Sequence, residues 1–352
     1  MTLPAVDKRD QPPHAHGSPA RALISRSAAG LVVGVSFVVI FAVVRVMAPQ
    51  TPAEFGLPGA ARDFATLSIS VVIESLPFVV LGIVLSIAVQ VWLPEGLLLR
   101  RLPRSPVLRR LVLSLLGMLL PVCECGNVPL ARGLVAKGLT VSESVSFLFA
   151  APILNPVTIL TTAQAFGWDS SILACRVLGG FFIANLLGWI YSRHPHPQDL
   201  LTERFQESCT LAQHHDGPAG KVRRSVQMFA LETRAMMPAL FVGAGMAGLI
   251  QVAVSREVLV TLGGNPVWSV LALMLLAFVV AICSNVDAFF ILSFGATFMP
   301  GGIVAFLVFG PMIDVKMLAL MRTTFTAKTL LQLSLLVALC AAVLGLALNY
   351  VH

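Results

Sequence analysis

The chain has 352 residues, 57% of them apolar and only 12% charged, with a formal net charge of +7 and a mean hydropathy of +0.87. Soluble domains carry about 25% charged residues, so this composition excludes a soluble globular protein. At about 20 residues per crossing of a hydrocarbon layer roughly 30 Å thick, it also excludes one soluble domain on a single anchor and provides for about eight to ten membrane segments.

The first residues, 1–27, hold Pro4, Pro12, Pro13, Pro19, two histidines and mixed charges without apolar periodicity, which predicts a disordered cytoplasmic tail. Residues 28–47 then form an apolar run too long for a signal-peptide core, read as a retained first helix. A second run covers 71–92, and a basic stretch, LLLRRLPRSPVLRR, follows it at 97–110. The runs at 28–46, 71–92 and 330–348 are nearly continuous rather than alternating, which argues against a transmembrane β-barrel. Basic residues concentrate in short connections, as the positive-inside rule expects of cytoplasmic loops, so the charge does not signal nucleic-acid binding.

From 111 to 139 the apolar character breaks at PVCECGNVP, where Pro121, Gly126 and Pro129 interrupt the helix around Cys123, Glu124, Cys125 and Asn127. The block at 111–120 is half a span, and cytoplasmic loops on both sides of 110–192 require an even number of crossings, so a re-entrant hairpin is expected here. Next comes APILNP, with Pro152, Asn155 and Pro156. The polar stretch 192–225 separates a first membrane half, 28–191, from a second, 226–352. Its His194, His196, Cys209, His214 and His215 match no closed zinc spacing.

The second half repeats the breaks of the first. CSNV at Cys283 faces CGNV at Cys125, which sets Asn285 against Asn127; FLVFGPMIDV, with Pro311 and Asp314, faces FLFAAPILNP; and Pro238 faces Pro77. All three matches fall at a near-constant spacing of about 160 residues, the mark of internal duplication. A hairpin around CSNVD would then enter from the outside, giving an all-α polytopic protein of two inverted repeats with broken helices or re-entrant hairpins. A chain in which every block crosses is the alternative.

Irregular backbone at membrane depth is tolerated only where protein or a cavity surrounds it, so PVCECGNVP, APILNP, CSNVD and GPMIDVK are read as one composite site. Cys123, Cys125 and Cys283 are candidate soft ligands for a thiophilic solute or a soft metal ion, with Cys123, Glu124 and Cys125 the metal ligands if there are any. Asn127, Asn155 and Asn285 either supply amide ligands or cap half-helices. Glu124, Asp287, Asp314 and Lys316 are ionisable residues inside apolar runs and candidates for proton coupling or ion binding, Asp287 ahead of Asp314. Glu74 and Arg234 occupy near-equivalent positions in the first span of each repeat. Cys175 and Cys340 read as packing residues, and Gly243, Gly245 and Gly248 as sites of close helix contact. There is no P-loop and no cofactor motif, so the chain is not read as an enzyme, although a membrane thiol oxidoreductase built on the C-x-C pair is a competing class.

PVCECGNVPLARGLVAKG, FLFAAPILNPVTILTT, CSNVDAFF and FLVFGPMIDVKMLAL together resemble the family of predicted membrane permeases that includes the organoarsenical efflux permeases (ArsP-like), over about 64–350. The resemblance implies a multi-pass permease of the bacterial inner membrane. Some members export trivalent organoarsenicals carried by cysteines, which maps onto Cys123, Cys125 and Cys283. A neutral organoarsenical does not require the acid of CECGN, and this departure leaves room for a soft cation such as zinc. A second permease subunit or a homo-oligomer is the other expected partner besides the lipid bilayer.

Overall fold

The computed structural model describes residues 59–94, 100–119, 122–212, 220–253, 265–295 and 297–351. The tail, the first apolar run, Pro121, His214 and His215 lie outside the described residues. Among the described residues the chain is helical, with one isolated antiparallel bridge between Leu201 and Phe325 and no strand.

Helix α1, Gly59–Ile87, is mostly apolar apart from Arg62, Asp63 and Glu74, contains Pro77 and ends in a π-helical turn, Ala88–Trp92. A short helix α2, Pro106–Leu115, starts with proline in its first turn, where the absent N–H costs nothing, and tightens into a 3-10 turn over Leu116–Leu119. Helix α3, Glu124–Ala136, follows the break. Helix α4, Val141–Leu154, opens on a capping box in which Thr140 and Glu143 satisfy each other's backbone N–H groups. Asn155 stops α4 and starts α5, Pro156–Phe166, by accepting from the Val157 N–H; the two helices meet at a bend of 40°. Helix α6, Ser171–Tyr191, completes the first half.

The polar connection carries a helix of its own, α7, Glu203–Ala212, and the long α8, Gly220–Ala253, begins inside the stretch read as linker. Then come α9, Pro266–Val280; the short α10, Asp287–Leu292; α11, Pro300–Met312; α12, Val315–Met321; and α13, Ala327–Val351. Among the described residues five helical segments are long and apolar enough to cross a membrane, or six if α4 and α5 count as one bent span.

Close contacts at small residues fix the relative directions. A Cβ on Gly126 would meet the Phe78 carbonyl and one on Gly133 would meet Ser86, while Lys137 donates to the Leu93 carbonyl at 3.1 Å; α3 therefore runs parallel to the second half of α1 and ends with it. Helix α8 lies antiparallel to α1, with Gly248 against Ser68 at one end and Ser225 bonded to the Trp92 ring N–H at the other. Within the first half α2 runs parallel to α4, through Arg109 with Glu143 and Gly117 with Ala151, and α6 returns antiparallel, through Gly180 with Ile153 and Gly188 with Ser146. The second half has the same relations: Gly302 with Ser269 and Gly310 with Ala277 make α11 parallel to α9, and Gly345 with Gly301 makes α13 antiparallel to α11. Helix α4 is buried along its whole length and α11 from Gly301 to Met312, so protein surrounds both of the helices that lead into the breaks.

Candidate functional site

The first residue of α3 organises the centre. Glu124 is fully buried, and one of its carboxylate oxygens accepts from Lys316 Nζ at 3.1 Å. The other accepts from the Ser284 hydroxyl at 3.1 Å and backbone N–H at 3.4 Å, with the Cys283 thiol at 3.8 Å. These partners come from the irregular segment between α9 and α10 and from α12, so one carboxylate joins three helix breaks. The segment turns sharply because Ala281 adopts a left-handed conformation, φ 51°, which ends α9.

Three thiols gather on the same carboxylate. Cys123, Cys125 and Cys283 are free and buried, and the Cys123 thiol neighbours those of both others. The ligand atoms of Cys123, Glu124 and Cys125 all lie within 4.8 Å of one another, a spacing that suits a soft centre. Cys209, Cys175 and Cys340 are half-buried elsewhere, and the His194 ring nitrogen Nδ1 meets the backbone carbonyl and N–H of His196 rather than any thiol.

The asparagines separate into different roles. Asn155 caps α5 with its oxygen and donates to the Val122 carbonyl at 3.0 Å, tying the bend to the first break. Asn285 accepts from Thr158 on α5 at 3.2 Å. Asn127 is fully buried, and among the described residues neither of its side-chain amide atoms is bonded, which leaves both its polar groups available to a ligand.

The acids separate likewise. Both oxygens of Asp287 are held by the Arg176 guanidinium, at 2.6 and 2.9 Å, and that guanidinium also donates to Thr162 at 2.7 Å. Asp314 caps α12 through the Met317 N–H, while its second oxygen is buried without a partner. Arg176 escaped the sequence reading although the criterion that found Asp287 applies to it equally: a charge inside an apolar span. Ser284 had no such signal, since a serine beside an asparagine is unremarkable until its partner is known. A third buried pair, Arg132 with Glu232 at 2.9 Å, lies towards the other end of α3, where Arg132 also bonds Thr323 and Thr324 and stacks on Phe205 of α7.

A family model described as a predicted permease (ArsP_1) matches residues 60–350. A protein of Streptococcus mutans named a putative two-component membrane permease complex subunit is 33% identical over 285 residues, 78% of this chain and 91% of that protein. The UPF0718 protein YcgR of Bacillus subtilis is 34% identical over 268 residues, covering 75% and 89%. The UPF0718 protein YraQ of Escherichia coli is 27% identical over a shorter stretch, 38% of this chain and 37% of that protein. No solved structure matches the chain.

Proposed function

The chain belongs to this predicted permease family, and from that membership we propose a secondary transporter of the bacterial inner membrane whose cargo is a small thiophilic solute. The observation that carries the reading is the cluster of three buried, free thiols around the Glu124–Lys316 pair at a break in the helices. Trivalent organoarsenicals are the leading cargo. Lys316 compensates the Glu124 charge, so the acid of CECGN does not by itself demand a cation, and a neutral solute can exchange its ligands for the thiols. A soft cation such as zinc is the alternative cargo, held by Cys123, Glu124 and Cys125 once Lys316 has left the carboxylate. The relatives' descriptions favour transport over the thiol oxidoreductase reading.

Alternating access would come from two inverted repeats. The antiparallel α1 and α8, each followed by the same parallel and antiparallel helix relations, support that arrangement, and the parallel course of α1 and α3 supports a first hairpin that enters and leaves on one side. Two re-entrant hairpins and a first helix at 28–47, both sequence expectations, would bring the five or six candidate spans to eight or nine segments. For proton coupling Asp314, with an unpartnered oxygen, is a stronger candidate than Asp287, whose oxygens are committed to Arg176. A second reading, a subunit of a two-component complex, is favoured by the name of the Streptococcus relative.

Everted membrane vesicles test the reading. Uptake of a trivalent organoarsenical is expected to collapse with an uncoupler and in Cys125→Ser. Full uptake by the triple variant Cys123→Ser, Cys125→Ser, Cys283→Ser would overturn thiol coordination, and zinc uptake in its place would select the cation. Transport by the purified chain alone in liposomes would exclude the obligatory second subunit.

A further inference from the structure

Among the described residues the thiol site is closed. Cys123, Glu124, Cys125 and Cys283 are each at most 3% exposed, so a cargo reaches them only when a contact on one side gives way. Helix α4 and its continuation α5 give the levels of the candidate contacts. The Ser144 hydroxyl donates to the Ala131 carbonyl, next to Arg132; Asn155 donates to the Val122 carbonyl, beside Cys123 and Glu124; and Thr162, beyond the bend, accepts from Arg176. The Arg132–Glu232 and Arg176–Asp287 pairs therefore flank Glu124 on opposite sides. Arg132 lies about 12 Å along α3 towards the polar connection, at 1.5 Å per residue, and stacks there on Phe205.

The pair on the far side is joined to the site through one residue. Ser284 donates its hydroxyl to Glu124 at 3.1 Å and its N–H at 3.4 Å, while its carbonyl accepts from Arg176 at 3.4 Å. Ser284 also follows the candidate ligand Cys283 by one peptide bond, in the irregular segment 281–286 that no helix holds. The next helix begins with Asp287, whose backbone N–H donates to the Cys283 carbonyl at 3.2 Å. Whatever shifts Cys283, or takes the place of Ser284 on Glu124, thus shifts the groups that hold Arg176. The Arg176 Nε is buried without a partner, so the guanidinium keeps a donor in reserve for a second arrangement. Stability gives little reason for the pair, since apolar side chains of the same size often serve as well or better.

We propose that Arg176 and Asp287 form the gate on the side of the thiol site away from the polar connection, and that Ser284 is the positioning residue that releases it when cargo binds. The proposal rests on the transport reading and extends it to the control of that site. A thiophilic solute lodged between Cys283 and Glu124 displaces the Ser284 hydroxyl and N–H from the carboxylate. Ser284 then withdraws its carbonyl from Arg176, and the turn at 281–286 draws Asp287 out of the guanidinium fork. Arg132, bonded to Glu232, Thr323 and Thr324, closes the opposite side, and the two pairs open in turn.

Two measurements test this, the first without any cargo. Sealed membrane vesicles of both orientations are treated with a charged, membrane-impermeant methanethiosulfonate, and modification of Cys123, Cys125 and Cys283 is mapped by mass spectrometry. The open state is a minor one in the wild type, so Asp287→Asn and Arg176→Gln are each expected to raise modification about tenfold from one face only, and Glu232→Gln from the other face only. Arg176→Lys, which keeps the charge, should label little more than the wild type. No rise in the Arg176→Gln and Asp287→Asn variants, a rise from both faces, or a rise from the same face as Glu232→Gln overturns the gate whatever the cargo is. The second measurement reads amide hydrogen exchange of the wild-type protein in lipid nanodiscs with phenylarsine oxide, the adduct being verified by intact mass. Residues 284–287 are expected to exchange severalfold faster in the adduct, and in Ser284→Ala to do so already without the compound. An adduct with unchanged exchange overturns the coupling. Absence of an adduct counts against the thiophilic cargo alone, and the labelling then decides the gate.

Discussion

Lys316 and Glu124 are 192 residues apart in sequence and buried to 1% and 0% exposure. Removing one partner of such a pair strands the other charge in a low-dielectric interior, at a cost of about 3–5 kcal/mol. Lys316→Met is therefore expected to lower unfolding stability in detergent by about that amount, and the double variant Glu124→Gln, Lys316→Met to recover most of it. A double variant no more stable than the single one would mean that Glu124 relies on Ser284 rather than Lys316. Outside the membrane part, burial pushes the Cys209 thiol up to about 11 from 9.0, against the opposing field of Arg132. Its neutral form is favoured by folding, so that contribution is present below pH 9.0 and is lost as pH rises towards 11. Alkylation of Cys209 by iodoacetamide should still be climbing steeply at pH 10; a plateau near pH 9 contradicts the burial. The sequence marked Glu124, Asp287, Asp314 and Lys316 because a charge in an apolar run needs a reason, but nothing in their spacing told which acid would meet which base.

At the scale of elements, glycine decides how near α1 and α3 come. A Cβ on Gly82 would lie 2.1 Å from the Gly126 carbonyl oxygen, and one on Gly126 would lie 2.5 Å from that of Phe78. Neither backbone can yield cheaply, so Gly82→Ala and Gly126→Ala are each expected to destabilise by about 1–3 kcal/mol and to displace Glu124 from its partners. Gly245→Ala, with nothing within 4 Å, should be neutral or stabilising by up to about 1 kcal/mol. Thermal unfolding in detergent separates the cases, and equal melting temperatures for all three would refute the close packing. Prolines and asparagines made the breaks themselves legible: Pro156 and Asn155 announce a helix start wherever they fall, since the cap is a local interaction. The helix α7 within the polar connection was not legible, because its fold depends on contacts such as Phe205 beneath the Arg132 guanidinium.

Across the whole molecule, three of the four ion pairs among the described residues join the part before the polar connection to the part after it: Glu124 with Lys316, Arg176 with Asp287 and Arg132 with Glu232. Only Arg109 with Glu143 stays within one half. Any rocking of one half against the other must strain or exchange these bonds. For Arg132 and Glu232 a double-mutant cycle with alanine is expected to give a coupling of about 0.5–3 kcal/mol, and a coupling near zero would place the pair outside the interface that holds the halves together.

What the sequence determined by itself follows from local physics. An apolar majority with few charges requires a helical membrane protein, and proline, glycine and asparagine inside apolar runs mark where helices stop. The tertiary structure decided the pairing. It gave Asp287 to Arg176, left the amide of Asn127 and one oxygen of Asp314 without partners, and brought Cys283 to Cys123 and Glu124. Those choices depend on which broken helices meet and how closely small residues let them approach, and neither is written in the periodicity of any one segment.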